Sequence, residues 1–297
     1  MPLDPQAVAH IARLKEMGVK PAWEIPIQTG RANFDAGTAA LFGDPDEVAS
    51  VEDHDADGVQ VRVFHPSGSG LGAVVYLHGG GWVNGSRVSH GPVCQTLAAR
   101  SGRAVILVDY RLAPEHPYPA AIEDAWTATR WAAGRFPAVV VAGDSAGGQL
   151  ATSVALRARD SGVDLALQIL IYPVTDYPGS AAAYGNVGNE TPLSGELMWW
   201  FWSQYLTDPS RADEQDCSPM RAKDLGGLAP ALILTAEYDP LAAEGEAYAA
   251  RLREAGVDVT LHRYEGLIHG FIRMPAVLDR SVDALDEVAG AISAALR

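Results

Sequence analysis

The chain has 297 residues, of which 48% are hydrophobic and 20% charged, and its formal charge is −15. So acidic a balance argues against nucleic acid and anionic membrane as partners, because both bind basic faces. Two cysteines, Cys94 and Cys217, are too few for a disulfide framework or a zinc cluster, which fits a reducing compartment.

The opening Met1-Pro-Leu-Asp-Pro-Gln6 lacks the basic and apolar regions of a signal peptide. No apolar stretch reaches the ~20 residues that span a bilayer. The expected location is cytoplasmic.

Val8, Ile11, Leu14 and Met17 recur at steps of three, which predicts an amphipathic helix over 5–17, ended by Gly18 and Pro21. A second helix is predicted over 33–42. Ser50 to Glu52 and the alternating Val59 to Phe64 read as two antiparallel edge strands joined by Asp55-Ala-Asp-Gly58. Ala73–Leu77 and Ala104–Val108 read as buried strands, with a helix over Pro92–Arg100 between them. After Pro119 a helix is predicted from Ala120 to Ala133.

The next stretch organises the chain. Val139-Val-Val141 is a β-branched run typical of a buried parallel strand. Gly143-Asp-Ser-Ala-Gly147 follows at once, and a helix begins by Gln149. Glycines on both sides of Ser145 allow a turn so tight that side chains there would collide. The turn lifts the Ser145 hydroxyl out of the sheet and aims the Ala146 amide, at the positive end of the helix, toward a developing oxyanion.

A strand is predicted over Leu165–Tyr172, after which residues 176–216 break the rhythm. They hold a Gly/Asn-rich run, Tyr184–Asn189, and a helix containing Met198-Trp-Trp-Phe-Trp202 and Tyr205. Four adjacent aromatic residues cannot all face one side of a helix, so some must point to another segment or a ligand. Strands over Ala231–Thr235 and Val257–Tyr264 and helices over 241–255 and 282–296 complete the chain. Eight strands alternating with helices imply a mostly parallel sheet covered on both faces.

His78-Gly-Gly-Gly81 follows the Ala73–Leu77 strand at its C-terminal end, the edge where reacting groups gather in open α/β sheets. Consecutive glycines let amides approach an anionic oxygen, which makes Gly79 and Gly80 the expected donors beside Ala146. A serine nucleophile needs a base, and the base needs an orienting acid. Beyond Ser145 lie only His262 and His269. His262 alternates within a strand, whereas His269 falls in the loop Glu265–Gly270 after the last strand, at the same edge as Ser145. Asp239 follows the Ala231–Thr235 strand there. Asp176, after the preceding strand, is its rival, and Glu237 and Glu244 are weaker alternatives. As an isolated residue Asp239 reads as a plain N-cap, but with His269 after the next strand it reads as the acid.

Together, His78-Gly-Gly-Gly-Trp82, Asp109-Tyr-Arg-Leu-Ala-Pro-Glu115, Gly143-Asp-Ser-Ala-Gly-Gly148, Tyr238-Asp-Pro-Leu241 and His269-Gly-Phe271 resemble, in order, the motifs of the hormone-sensitive lipase family. The likeness runs from about residue 60 to the end. It implies an α/β-hydrolase fold with a helical cap, a Ser145–His269–Asp239 triad, and an oxyanion hole at Gly79, Gly80 and Ala146. It further implies a cap assembled from residues 1–45 and 176–216 over a catalytic domain of 46–175 and 217–297. Two departures are visible: Gln149 stands where relatives commonly carry Asn, and Ala242-Ala243 replaces their usual Arg-Asp.

The expected activity is hydrolysis of small to medium acyl esters through an acyl-enzyme, with no metal and no organic cofactor. Trp82, Trp199, Trp202, Tyr205 and Ile268 are the expected substrate-binding residues. An amidase, deacetylase or lactonase would use the same triad. A non-catalytic small-molecule receptor of this fold would have replaced His269. Relatives often dimerise through the edge of the last strand and its helix, so a homodimer stays open.

Overall fold

The structure, a computed structural model, describes residues 2–68, 70–185 and 191–297. Most of the Gly/Asn-rich run, residues 186–189, therefore lies outside the described residues. Among the described residues, eight strands form one sheet in the order β1-β2-β4-β3-β5-β6-β7-β8. They are β1 (Ser50–Ala56), β2 (Val59–His65), β3 (Ala73–Leu77), β4 (Ala104–Val108), β5 (Val139–Asp144), β6 (Leu167–Ile171), β7 (Ala231–Tyr238) and β8 (Val259–Ile268). β1 pairs antiparallel with β2 and β2 with β4, and from there the pairing is parallel throughout.

The helices α1 (Pro5–Glu16), α2 (Ile27–Ala36), α3 (Thr38–Phe42), α4 (Gly91–Ser101), α5 (Ala120–Ala133), α6 (Ala146–Ser161), α7 (Gly195–Tyr205), α8 (Ala242–Glu254) and α9 (Arg280–Ala295) surround this sheet. Strand alternation divides the core in two. Val75, Leu77, Ile106, Val108 and Val141 face α5 and α6 in one cluster. Val74, Tyr76, Val105, Leu107 and Val140 face α4 and α9 in the other. None of the described helices is long and apolar enough to cross a membrane.

Some boundaries differ from expectation. β1 runs on to Ala56, and the hairpin closes on Asp57-Gly58, both at positive φ, 56° and 96°. A two-residue turn of that hand matches the twist of the strands, which lets the polar stretch Asp53–Asp55 pair as an edge strand. The helix expected over 33–42 starts earlier and is split into α2 and α3 at Gly37. β8 extends to Ile268, so the expected loop over 265–268 is strand, admitted by a register shift between Ala236 and Tyr238 on β7.

Two segments overlie the C-terminal edge of the sheet. α2 is fastened by Arg31, whose guanidinium donates to the carbonyls of Val83 at 2.7 Å and Ala113 at 2.9 Å and pairs with Glu115. α7 lies over Gly81, where an added Cβ would come within 2.2 Å of the Phe201 ring. α1 docks elsewhere: the Asp4 amide donates to Gly266 of β8, and Gln6 accepts from the Asp279 amide next to α9.

Candidate active site

Ser145 sits between β5 and α6 with φ 57° and ψ −122°, a conformation costly for a residue with a side chain. Its neighbours enforce the turn. A Cβ at Gly143 would lie 2.2 Å from the Gly147 carbonyl oxygen, and one at Gly147 1.9 Å from that of Leu77. The Ser145 amide is held by the Ile171 carbonyl at 2.8 Å. The hydroxyl therefore projects above the sheet rather than into it.

The β7–β8 register delivers the partners. Tyr238 pairs with Ile268 at the ends of the two strands, and the residues that follow are Asp239 and His269. His269 Nδ1 lies 2.7 Å from Asp239 Oδ2, and His269 Nε2 lies 2.9 Å from Ser145 Oγ. Asp239 is 1% exposed, and its other oxygen accepts the Leu241 amide at 2.9 Å. That backbone donor orients the carboxylate without the charged neighbour that Ala242-Ala243 lacks. The Tyr172 ring packs 4.5 Å from the imidazole. Asp176, the rival acid, instead pairs with Arg221 at 2.6 Å, and His262 pairs with Glu287 on the outside of β8.

The glycine loop needs one correction. The Gly79 amide already donates to Asp144 Oδ1 at 3.0 Å, so it is not free to meet an oxyanion. The amides of Gly80, Gly81 and Ala146 have no hydrogen-bond partner among the described residues. Gly80 and Gly81 reach this arrangement at φ of 121° and 61°, which a side chain would oppose. Gly81 thus replaces Gly79 as the candidate donor.

Beneath the loop lies a buried polar cluster. Asp144 Oδ1 also accepts from the Tyr76 hydroxyl at 3.0 Å and lies 3.4 Å from His90 Nε2. Burial would push the Asp144 carboxyl up, but His90, Arg273 and Tyr76 outweigh it and hold the group down at about 2. Burial in turn lowers His90, and the buried Arg273 guanidinium, 8% exposed, adds a further positive charge near Asp144. His78 is pushed down to about 3, first by burial and then by His90, so it is neutral. Its Nδ1 lies 2.9 Å from the Gly79 carbonyl, and its own carbonyl accepts the Tyr110 hydroxyl at 2.6 Å.

The expected substrate-binding aromatics are mostly tied up with one another. Trp82 and Tyr205 stack at 4.2 Å and an interplanar angle of 5°, and Trp202 packs on Trp82 at 4.5 Å. Trp82 donates to Gln149 at 3.0 Å and Trp202 to Tyr184 at 2.8 Å. Trp82, Trp202, Tyr205 and Ile268 are at most 1% exposed, so they have no surface to offer a ligand. The observed part of Trp82, Trp202 and Tyr205 is to fasten α7 onto the glycine loop, whereas Ile268 packs in the cluster facing α4 and α9. Trp199 is half-buried against Tyr177 and keeps a free face. Phe201, over Gly81, is the contact that the sequence reading overlooked, although its place in the aromatic run was visible. Gln149 joins three elements: it accepts from Trp82 and donates to Ser153 at 2.9 Å and to the Asp216 carbonyl at 2.6 Å.

Comparison with known proteins agrees with this architecture. Residues 74–273 match a family described as having the alpha/beta hydrolase fold. The chain is 38% identical to a carboxylic ester hydrolase, LipN, of Mycobacterium tuberculosis, over 99% of this chain and 83% of that one. It is 35% identical to an ethyl acetate hydrolase of Pseudomonas putida, covering 98% and 99% of the two chains. Among solved structures, an esterase of Pyrobaculum calidifontis superposes with a TM-score of 0.90 at 39% identity, over 100% of both chains. The chain belongs to the α/β-hydrolase fold family and, within it, to the esterases of the hormone-sensitive lipase type.

Proposed function

We propose that this protein is a serine carboxylesterase acting on small to medium acyl esters, with Ser145 as nucleophile, His269 as general base and Asp239 as its orienting acid. The observation that carries this reading is the unbroken chain of contacts from Asp239 through His269 to Ser145, at 2.7 and 2.9 Å. The ester hydrolase activities named for its relatives support the substrate class.

In this mechanism His269 Nε2 takes the Ser145 proton as Oγ attacks the ester carbonyl. The tetrahedral oxyanion accepts hydrogen bonds from the amides of Gly80, Gly81 and Ala146, which are directed before reaction and so need no reorganisation. The imidazolium, stabilised by Asp239, returns its proton to the leaving alkoxide, and the alcohol departs. Water, activated by the same His269, then attacks the acyl-enzyme and releases the acid.

The helices α2 and α7 act in this reading as a cap over the edge bearing Ser145, while α1, expected in the cap with the rest of 1–45, docks on β8 and beside α9 instead. Trp199 and Phe201 bound the acyl or alcohol side. The two unpaired, buried cysteines support a cytoplasmic setting.

A series of p-nitrophenyl esters of increasing chain length, set against matched anilides, tests the reading. The expected result is kcat/KM highest for short to medium esters and far lower for anilides. Preference for anilides or lactones would replace esterase by amidase or lactonase on the same residues.

A further inference from the structure

Far from Ser145, the β1–β2 ribbon carries a second group of ligating side chains. Its register pairs Ser50 with His65, Glu52 with Val63 and His54 with Val61, so Ser50, Glu52, His54 and His65 share one face. His65 is the diagonal neighbour of Glu52 across the pair, and His54 stands two residues further along β1. Glu52 Oε2 lies 3.4 Å from His54 Nε2 and 4.0 Å from His65 Nε2. One ligand atom from each of the three lies within 4.8 Å of the others. The Ser50 hydroxyl donates to the remaining carboxylate oxygen, Oε1, at 3.1 Å, which leaves Oε2 turned toward the two imidazoles.

We propose that Glu52, His54 and His65 bind a divalent transition metal ion of the zinc and nickel class, clamping the edge strand β1 to the end of β2. Metal–ligand bonds of about 2.0–2.2 Å in tetrahedral geometry put neighbouring ligand atoms about 3.3–3.6 Å apart. The Glu52–His54 separation already falls in that range. The longer His65 separation closes with a small movement of a side chain that is 37% exposed. Two imidazoles and one carboxylate select zinc, nickel, cobalt or copper over magnesium and calcium, which prefer shells of oxygen alone. Water completes the coordination, and the net charge of −15 draws cations to the surface.

The position defines the consequence. Among the described residues β1 is an outer strand paired with β2 alone, and β2, β4 and β3 stand between it and the β5 that leads to Ser145. Binding therefore stiffens the sheet edge and leaves ester hydrolysis unchanged. The His54 and Trp131 rings lie 6.0 Å apart, so the indole reports on an ion held at His54.

Zinc or nickel chloride is titrated calorimetrically into the intact, tag-free protein and into the folded double variant His54→Gln/His65→Gln. The expected result is one ion per wild-type chain, affinity reduced at least ~10-fold in the variant, and a rise in Tm with zinc confined to the wild type. Copper or nickel should quench fluorescence in the wild type, and less in Trp131→Phe. Equal binding by wild type and double variant, or no binding at millimolar metal, would overturn the proposal.

Discussion

The Gly79 amide donates to Asp144 Oδ1 at 3.0 Å, and this bond joins the glycine loop to the residue before Ser145. The bond fixes donor and nucleophile relative to each other, because one carboxylate anchors the loop and belongs to the turn. It also explains why the Gly79 amide is occupied while those of Gly80 and Gly81 stay free. Asp144→Asn keeps the shape but removes the charge that answers the buried Arg273. The variant should lose about 3 kcal/mol of stability, and kcat should fall roughly 100-fold as the loop donors shift. The wild-type group is held down at about 2, below the usual carboxylate value. Its contribution is therefore present above about pH 4 and lost as pH falls toward 2, a dependence the Asn variant should lack in chemical denaturation.

Gly81→Ala tests which amides receive the oxyanion. An added Cβ meets the Phe201 ring at 2.2 Å, and the residue sits at φ 61°. The donor should move off its line, lowering kcat by about 10²–10³ with KM little changed. Steady-state kinetics on a short p-nitrophenyl ester, with circular dichroism to check folding, measures this.

Gln149→Leu should leave the buried Trp82 indole N–H without its partner, while the Asp216 carbonyl keeps the Ser153 hydroxyl at 3.1 Å as a donor. One orphaned buried donor costs roughly 1–3 kcal/mol, so Tm should drop by a few degrees in calorimetry. Because Gln149 reaches both Trp82 and the 216 segment, Gln149→Asn should recover only part of the loss.

Glu244 offers a pH test with the opposite sign. Its carboxyl accepts the Thr175 amide at 2.7 Å. Burial, aided by Asp176 and Asp239, nevertheless pushes it up to about 8. The protonated form is favoured on folding, so this stability is complete below about pH 4.5 and is lost as pH rises through 8. Glu244→Gln keeps the acceptor without the charge. Its unfolding free energy in chemical denaturation should match wild type near pH 4 and exceed it near pH 9 by on the order of 1–2 kcal/mol.

Sequence patterning revealed those parts of this fold that depend on local chemistry. Ala73–Leu77, Ala104–Val108 and Ala120–Ala133 have the boundaries that their apolar runs and Pro119 suggest. Ser145 and His269 were legible because each follows a strand at one edge of the sheet, and Asp239 followed from their order. What escaped depends on contacts between distant residues. The polar stretch Asp53–Asp55 is strand because β2 supplies its partners. The identity of the free glycine amides turns on Asp144, 65 residues beyond Gly79. The aromatic run in α7 announced contacts on several sides but not that Trp82 would take up most of one of them. The three ligating groups of the β1–β2 ribbon appear only when its register is known.

The most direct test of the central claim is the site of covalent capture. The purified protein is treated with a p-nitrophenyl alkylphosphonate and digested, and the modified residue is located by mass spectrometry, with ester hydrolysis followed in parallel for Ser145→Ala. The account predicts one phosphonyl group per chain on Ser145, stoichiometric loss of activity, and a fall in kcat of ~10⁴-fold or more in Ser145→Ala. Labelling at another residue, or full ester hydrolysis by folded Ser145→Ala, would contradict it.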